Sequence, residues 1–429
     1  MIGVLGMSHL GIITSTGIAS KGFDVTAFDQ NRILIENLKK FNFPIMEPGL
    51  EELANSIPDN QIKFTTNLSE LKNCELIFLA QDVNTSINNQ SDTSYIETLL
   101  HDASKFISNQ SCLVILCQVK PGFTRSLASK YKFKIVYQVE TLIFGNAVSR
   151  FLNPERFIVG KSDENFILHP KHKQLLEYFD CPILEMNFES AELTKISINL
   201  FLASSITTTN ALAEICEKIG AKWTDIVPAL KLDPRIGDKS YLNPGLGISG
   251  GNIERDIQNI VELLTIHKLD NKLFTFFESS SRHRKLWPSK IAEQNILTPN
   301  QKPKVAVWGL TYKKNTKSTK NSPALVNISK LAANFRIYAH DPALSKSDLD
   351  QTEMHFTKDK MEALEGSDCL IIFTDWDEYR KVNVEEIKKL MKGNLIIDPY
   401  RILENNFALN SNFKYFCLGQ SSKVEYEYK

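Results

Sequence analysis

A chain of 429 residues is long enough for two or three domains with ample buried core. Its 50 basic and 50 acidic side chains cancel, so no global field favours nucleic acid or an acidic membrane surface. Hydrophobic residues at 42% and charged residues at 23% suit a soluble globular protein, and no uninterrupted apolar run approaches the roughly 18 residues of a membrane span. The opening MIGVLGMSHLGIITS lacks the basic segment of a signal peptide and reads as a strand entering a loop. The cysteines Cys74, Cys112, Cys117, Cys181, Cys216, Cys369 and Cys417 are scattered without a CxxC pair. Several lie in apolar runs, which suits buried reduced thiols, a cytoplasmic setting and no bound metal.

In chain order, MIGVLG, DVTAFD, ELIFLA, CLVILC and KIVYQV are short runs hydrophobic on both faces, separated by amphipathic stretches. They predict buried parallel strands with crossover helices, a doubly wound α/β domain over 1–187. From about residue 188 the texture changes. SAELTKISINLFLASSITTTNALAEICEKIGA has no Gly or Pro before Gly220, which predicts a long helix with Ser190 as its N-cap and Gly220 as its stop. A central helical domain over 188–295 follows from it. A second α/β pattern, KVAVWGL, FRIYAHD, CLIIFT and LIIDPY, fills 296–429, with a Pro- and Asn-containing linker near 296–303. The fold class is therefore α/β, two Rossmann-like doubly wound domains joined by a long central helix.

VLGMSHLGIIT follows the first strand and opens a helix, so it sits where a dinucleotide loop should. Gly6 serves the tight turn and Gly11 the close approach of helix to strand, while Ser8 occupies the middle position, where glycine normally lets backbone meet the pyrophosphate. Asp29, at the end of DVTAFD, stands where an acid holds the adenosine ribose and favours NAD over NADP. The blander alternative is a glycine loop shaped for packing. His9 in that loop reads more simply as a packing or surface residue than as an acid–base group.

Several later segments, in order, resemble the UDP-glucose/GDP-mannose 6-dehydrogenase family. PIMEPGLEEL, AELTKISINLFLASSI, DPRIGDKSYLNPGLGISGGNIERD, VWGLTYKKNTKSTKNSPAL, AHDP and FTDWDEYR carry the likeness over nearly the whole chain. The resemblance implies an NAD-binding N-terminal domain, a central helix supporting a homodimer, and a C-terminal domain that binds a nucleotide sugar, a UDP-sugar ahead of a GDP-sugar. Substrate and cofactor would meet between the two α/β domains. Typical members oxidise a sugar C6 alcohol to a carboxylate and reduce two NAD per sugar, through a thiohemiacetal and a thioester on a cysteine.

Carried onto this sequence, the resemblance gives Lys195, Asn199, Asp256 and Glu140 catalytic roles. Lys195 and Asn199 are spaced to share a helix face. An ammonium there stabilises alkoxide charge, and Asp256 joins the base network through water. Gly6, Ser8, His9, Leu10, Gly11, Asp29, Gln118 and Lys320 fall at cofactor positions. Arg235, Leu142, Gly247, Gly250, Lys313 and Arg401 fall at substrate positions, Arg235 as a reach into the neighbouring subunit. Lys320 replaces an arginine, exchanging a bidentate fork for a point charge. In GISGGNIERD the family's cysteine position holds Asn252, an amide that orients oxygen but does not attack carbon. Phe144 and Ile143 replace the second acid and the arginine of the motif containing Glu140. Gln118 stands where threonine is usual, and AQDVNT departs from the family's V-G-T-P-T. Three functions are consistent with this pattern: a dehydrogenase with a cysteine-free route, one that stops after a single oxidation, and a silent binder of both ligands. Retention of the acid–base set favours an enzyme.

Overall fold

The structure is a computed structural model describing residues 1–85, 91–296, 302–349, 353–404 and 413–421. The expected linker near 296–303 falls largely outside the described residues. Two units emerge, Met1–Ile198 and Asn199–Lys429.

The first unit contains β1 (Ile2–Leu5), β2 (Val25–Phe28), β3 (Ile62–Thr65), β4 (Leu76–Leu79), β5 (Asn84–Thr85), β6 (Ser91–Asp92), β7 (Cys112–Ile115), β8 (Lys134–Gln138), β9 (Phe157–Lys161) and β10 (Ile183–Asn187). Eight of them form one sheet in the order β10-β9-β8-β7-β4-β1-β2-β3, and β5 pairs only with β6. All neighbours in the large sheet run parallel except β8 and β9. The doubly hydrophobic runs explain this layering. Ile2 and Val4, with Leu76 and Phe78, enter one core, while Leu5, Ile77 and Leu79 enter a second core on the opposite face. Each side chain fully removed from water contributes about 1.5–3 kcal/mol, so neither face of such a strand is left to solvent. The strand order reverses beside β1, and the crevice for a ligand in such sheets lies beyond the carboxyl ends of β1 and β4.

The second unit contains β11 (Lys304–Trp308), β12 (Arg336–His340), β13 (His355–Phe356), β14 (Cys369–Ile372), β15 (Leu395–Ile397) and β16 (Lys414–Phe416). They form an all-parallel sheet in the order β13-β12-β11-β14-β15-β16. Its strands alternate likewise, Val305 and Val307 into one core, Ala306 and Trp308 into another.

The long helix runs Phe188–Ile219. It starts ahead of the expected Ser190 cap: Asn187 supplies the capping oxygen, accepting from the Ser190 amide at 2.8 Å, so Ser190 lies in the first turn. Gly220 ends the helix with φ 76°, a left-handed conformation that glycine adopts without a Cβ penalty. By length and composition this helix passes as a membrane span, although 39% of its most apolar window is buried. Its buried polar groups belong to a folded unit. Thr209 donates to the Tyr241 carbonyl at 3.0 Å, and Asn210 accepts from the Gly245 amide at 2.8 Å. All seven cysteines are free, and all but Cys181 are buried, as their apolar settings predict.

Candidate active site

In the first unit the turn after β1 has the backbone a dinucleotide loop needs. Gly6 has φ 86°, and a Cβ on Gly11 would collide with the Gly6 carbonyl oxygen, so the helix His9–Ser20 can start this close to the strand only with glycine there. Asp29, directly after β2, braces the loop by accepting from the Met7 amide at 2.9 Å through Oδ2 and from Asn31 at 2.8 Å through Oδ1. A carboxylate offers about four lone-pair sites, so acceptor capacity remains for a ribose hydroxyl. These residues fit the adenosine half of a dinucleotide. The Leu10 side chain is buried in the core, and its amide is what meets the loop. Gln118 lies half-buried just beyond β7.

His9 is neither free nor at the surface. Its Nε2 stands 2.7 Å from Oε1 of Glu47, and its ring lies 4.2 Å from the ring of Phe144. Glu47 is buried and also accepts from the amides of Gly145 at 2.6 Å and Ala147 at 3.1 Å. Burial pushes the Glu47 carboxyl up, but the bonds from His9, Gly145 and Ala147 outweigh it and hold it below the usual carboxylate range. Glu47 lies inside PIMEPGLEEL, yet nothing in that string marks it as the tie between the helix start and the loop bearing Phe144.

Glu140 sits two residues past β8. Lys195 places Nζ 2.7 Å from its carbonyl oxygen and 3.4 Å from Oε2, while Oε1 accepts from the Leu142 amide. Arg150 fixes the same turn, donating from Nε to the Thr141 carbonyl at 2.7 Å. Leu142, Glu140 and Thr14 line a cavity of about 60 Å³ in this unit. Glu192, in the AELTK string, is structural: its buried carboxylate accepts from the amides of Gly122 at 2.6 Å and Thr124 at 2.8 Å, capping the helix Phe123–Ala128.

In the second unit Asn199, one helical turn beyond Lys195, donates from Nδ2 to Asp256 Oδ2 at 2.5 Å, and Asp256 is fully buried. Asp256 lies on the helix Asn252–Ile266, which opens at the exposed Asn252 after Gly251 at φ 95°. Asn252 Oδ1 is 3.4 Å from Arg255 Nη2. Glu254 secures the helix start, accepting from the Gly251 amide at 3.2 Å, from Lys285 at 2.9 Å and from Asn321 at 2.6 Å.

The glycines of this turn have packing reasons of their own. A Cβ on Gly247 would stand 2.6 Å from the Ser281 carbonyl oxygen, and one on Gly250 2.5 Å from the Tyr312 ring. Lys320 lies beside Gly251, and its carbonyl accepts from the Gly250 amide at 3.2 Å. Burial and the nearby Arg255 lower the Lys320 pKa, with Glu254 opposing.

Arg235 is 87% exposed and paired with Asp233 at 2.6 Å. Lys313 lies with its Nζ 5.5 Å from the Tyr312 ring centre. Arg401 is committed to Glu404 at 2.7 Å, Gln420 at 3.1 Å and the Leu418 carbonyl at 3.0 Å.

A doubly wound unit with such a loop after β1 belongs to the class of dinucleotide-binding α/β proteins. The UDP-glucose/GDP-mannose dehydrogenase family matches residues 1–180 with its NAD binding domain, 189–281 with its central domain and 306–405 with its UDP binding domain. The UDP-glucose 6-dehydrogenase of Rickettsia prowazekii is 30% identical over 432 residues, covering 97% of this chain and 98% of the relative. The UDP-glucose 6-dehydrogenase TuaD of Bacillus subtilis is 26% identical over 435 residues, covering 98% and 93%. Among solved structures, a UDP-D-ManNAc dehydrogenase from Pyrococcus horikoshii superposes with a TM-score of 0.85 at 22% identity, covering 99% of this chain and 100% of that one, a shared fold. The chain belongs to the UDP-glucose/GDP-mannose dehydrogenase family and is an NAD-dependent nucleotide-sugar dehydrogenase.

Proposed function

We propose that the chain oxidises the C6 alcohol of a UDP-sugar to the acid by a route without a thioester. The observation that supports this reading is the pairing of the acid–base set, Lys195 with Glu140 and Asn199 with Asp256, taken with the sequence resemblance that sets Asn252 at the family's cysteine position. Bound NAD supplies the acceptor for the hydrogen and electron pair that leave C6. The Lys195 ammonium holds the C6 oxygen and stabilises its negative charge as the proton departs, and Asp256 takes that proton through water. Water then adds to the aldehyde, giving a hydrate with two C6 hydroxyls. Glu140 accepts one hydroxyl proton of the hydrate and Asn199 orients the other oxygen, so a second oxidation, for which a second NAD would be the hydride acceptor, yields the acid. The Asn252 amide donates to the hydrate and forms no bond to carbon. Gly6, Gly11 and Asp29 hold the adenosine half of NAD, and Lys313, Lys320 and Arg401 serve the charged portions of the ligands.

A homodimer is part of this reading. The exposed face of the long helix carries Phe201, Leu212, Ile215 and Ile219, spaced eleven, three and four residues apart, an apolar stripe suited to a second copy. Arg235, exposed, reaches the neighbouring subunit's sugar nucleotide.

The test is the number of NADH formed per sugar consumed across UDP- and GDP-sugars. About two per sugar with an acid product is expected, and Lys195→Met should lower kcat by about 10²–10⁴-fold. About one per sugar, with a carbonyl product, would replace this reading with a dehydrogenase that stops for want of a nucleophile, which Asn252 favours. No NADH despite binding of both ligands would make the protein a silent binder.

A further inference from the structure

Two departures from the family pattern, Ser8 in the glycine loop and Asp82 in AQDVNT, are joined in the structure. Ser8 turns its hydroxyl onto the loop after β4, where Oγ accepts from the Asp82 amide at 2.8 Å and stands 3.4 Å from the Ala80 carbonyl oxygen. Asp82 in turn places Oδ2 3.3 Å from the Leu10 amide, in the first turn of the helix His9–Ser20. Amides in the first turn of that helix have no partner within it, and at the carboxyl ends of β1 and β4 they are what a dinucleotide's diphosphate uses. An exposed acidic side chain of the protein itself already takes one of them. The loop is closed down on the other side too, since a Cβ on Gly6 would stand 2.5 Å from the Gln81 side-chain oxygen.

We propose that Asp82 sets the affinity of this chain for NAD: its carboxylate holds the helix amide that the cofactor's diphosphate would take, and Ser8 anchors it there. A carboxylate at a helix N-terminus is itself stabilised by the dipole, so the free protein is settled in this state. The diphosphate has to displace a like charge from the same amide, and the carboxylate returns when the dinucleotide leaves. Binding is weakened and release favoured by the same contact. Ser8 acts through Asp82 and is a positioning residue: glycine in its place would free the Asp82 amide and loosen the acid. The proposal rests on the NAD binding that comes with the family and not on the cysteine-free route.

Calorimetric titration of the full chain with NAD, ADP-ribose and UDP tests it without turnover. Asp82→Asn keeps an acceptor for the Leu10 amide but removes the charge. It should tighten NAD and ADP-ribose, which share the diphosphate, by about tenfold. UDP, the ligand of the other domain, should bind unchanged. Ser8→Gly should move both dinucleotide affinities in the same direction by a smaller factor. The double variant should bind no tighter than Asp82→Asn alone, because both substitutions act on one acid. Unchanged or weaker binding of NAD and ADP-ribose in Asp82→Asn would overturn the proposal. Additive gains from the two substitutions would overturn the coupling of Ser8 to Asp82. Because Ser8→Gly leaves the acid in place, it reads out the same contact by an independent route.

Discussion

Asp29 and Asp341 occupy equivalent places in the two sheets and do different things. Each follows the second strand of its sheet order, and each turns back to the loop after the central strand. Asp29 accepts from two amides, Met7 and Asn31. Asp341 accepts from the Leu310 amide at 2.7 Å, the Thr311 amide at 2.9 Å, the Thr311 hydroxyl at 3.0 Å, Trp376 Nε1 at 3.3 Å and the Ala343 amide at 2.9 Å. The glycines differ in parallel. The space beside Gly6 is filled mainly by the Gln81 side chain, but that beside Gly309 is filled by Thr374, its backbone nitrogen 2.6 Å from a Cβ. One loop is left with acceptor capacity and a movable roof, the other is saturated and closed. A doubly wound topology thus offers the same place for an acid twice, and the acid braces its loop lightly in one unit and fully in the other.

The largest effect should come from breaking the closed side. Asp341→Ala leaves buried donors without an acceptor, at about 1–3 kcal/mol each. Even a 4 kcal/mol loss would lower Tm by about 10 °C for a unit of this size. A melt that moves by less than about 3 °C would show that Asp341 does not hold its loop. Asp29→Ala should do the reverse, weakening NAD by about 10²-fold with a smaller change in Tm. Equal damage to both properties would erase the contrast.

Glu47 extends the comparison as a third acid that gathers amides, and its carboxyl is held below the usual range. A lowered folded-state pKa contributes stability that is present above the ordinary value near 4.5 and lost as pH falls through the lower folded value. Glu47→Gln should therefore cost about 1–3 kcal/mol at pH 7, and its Tm gap to the parent should shrink as pH falls below about 4.5. A gap independent of pH would mean that shape and not charge is what the loop needs.

The strands were readable because parallel strands buried on both faces need unbroken apolar runs, and MIGVLG, ELIFLA and CLVILC supply them. Ser190 was misplaced as a cap because Asn187, at the end of β10, is the same kind of residue one turn earlier. The helix Asn252–Ile266 was hidden behind its glycine turn, which reads as loop. The Lys195, Asn199 and Asp256 positions came from the family pattern, and the spacing of Lys195 and Asn199 on one helix could be read directly. Their partners were only partly legible: the Asn199–Asp256 and Lys195–Glu140 bonds join residues 57 and 55 positions apart. The Ser8–Asp82 bond spans 74 positions, and no local pattern carries a contact of that range.

Arg235 should give the smallest change in stability and is the sharpest probe of assembly. Its guanidinium lies 2.6 Å from Asp233, two residues away, and the pair is open to solvent, where water and salt screen it. Arg235→Ala should leave Tm of the isolated subunit where it was. If Arg235 completes the sugar-nucleotide site of a second subunit, the same change should raise KM for the UDP-sugar while the dinucleotide affinity stays fixed. Mixing Arg235→Ala with a Lys195→Met variant would then restore activity through hybrid dimers, since one of the two sites would keep Lys195 from one subunit and Arg235 from the other. No restoration in a demonstrated hybrid, or an unchanged KM, would confine Arg235 to its local ion pair with Asp233.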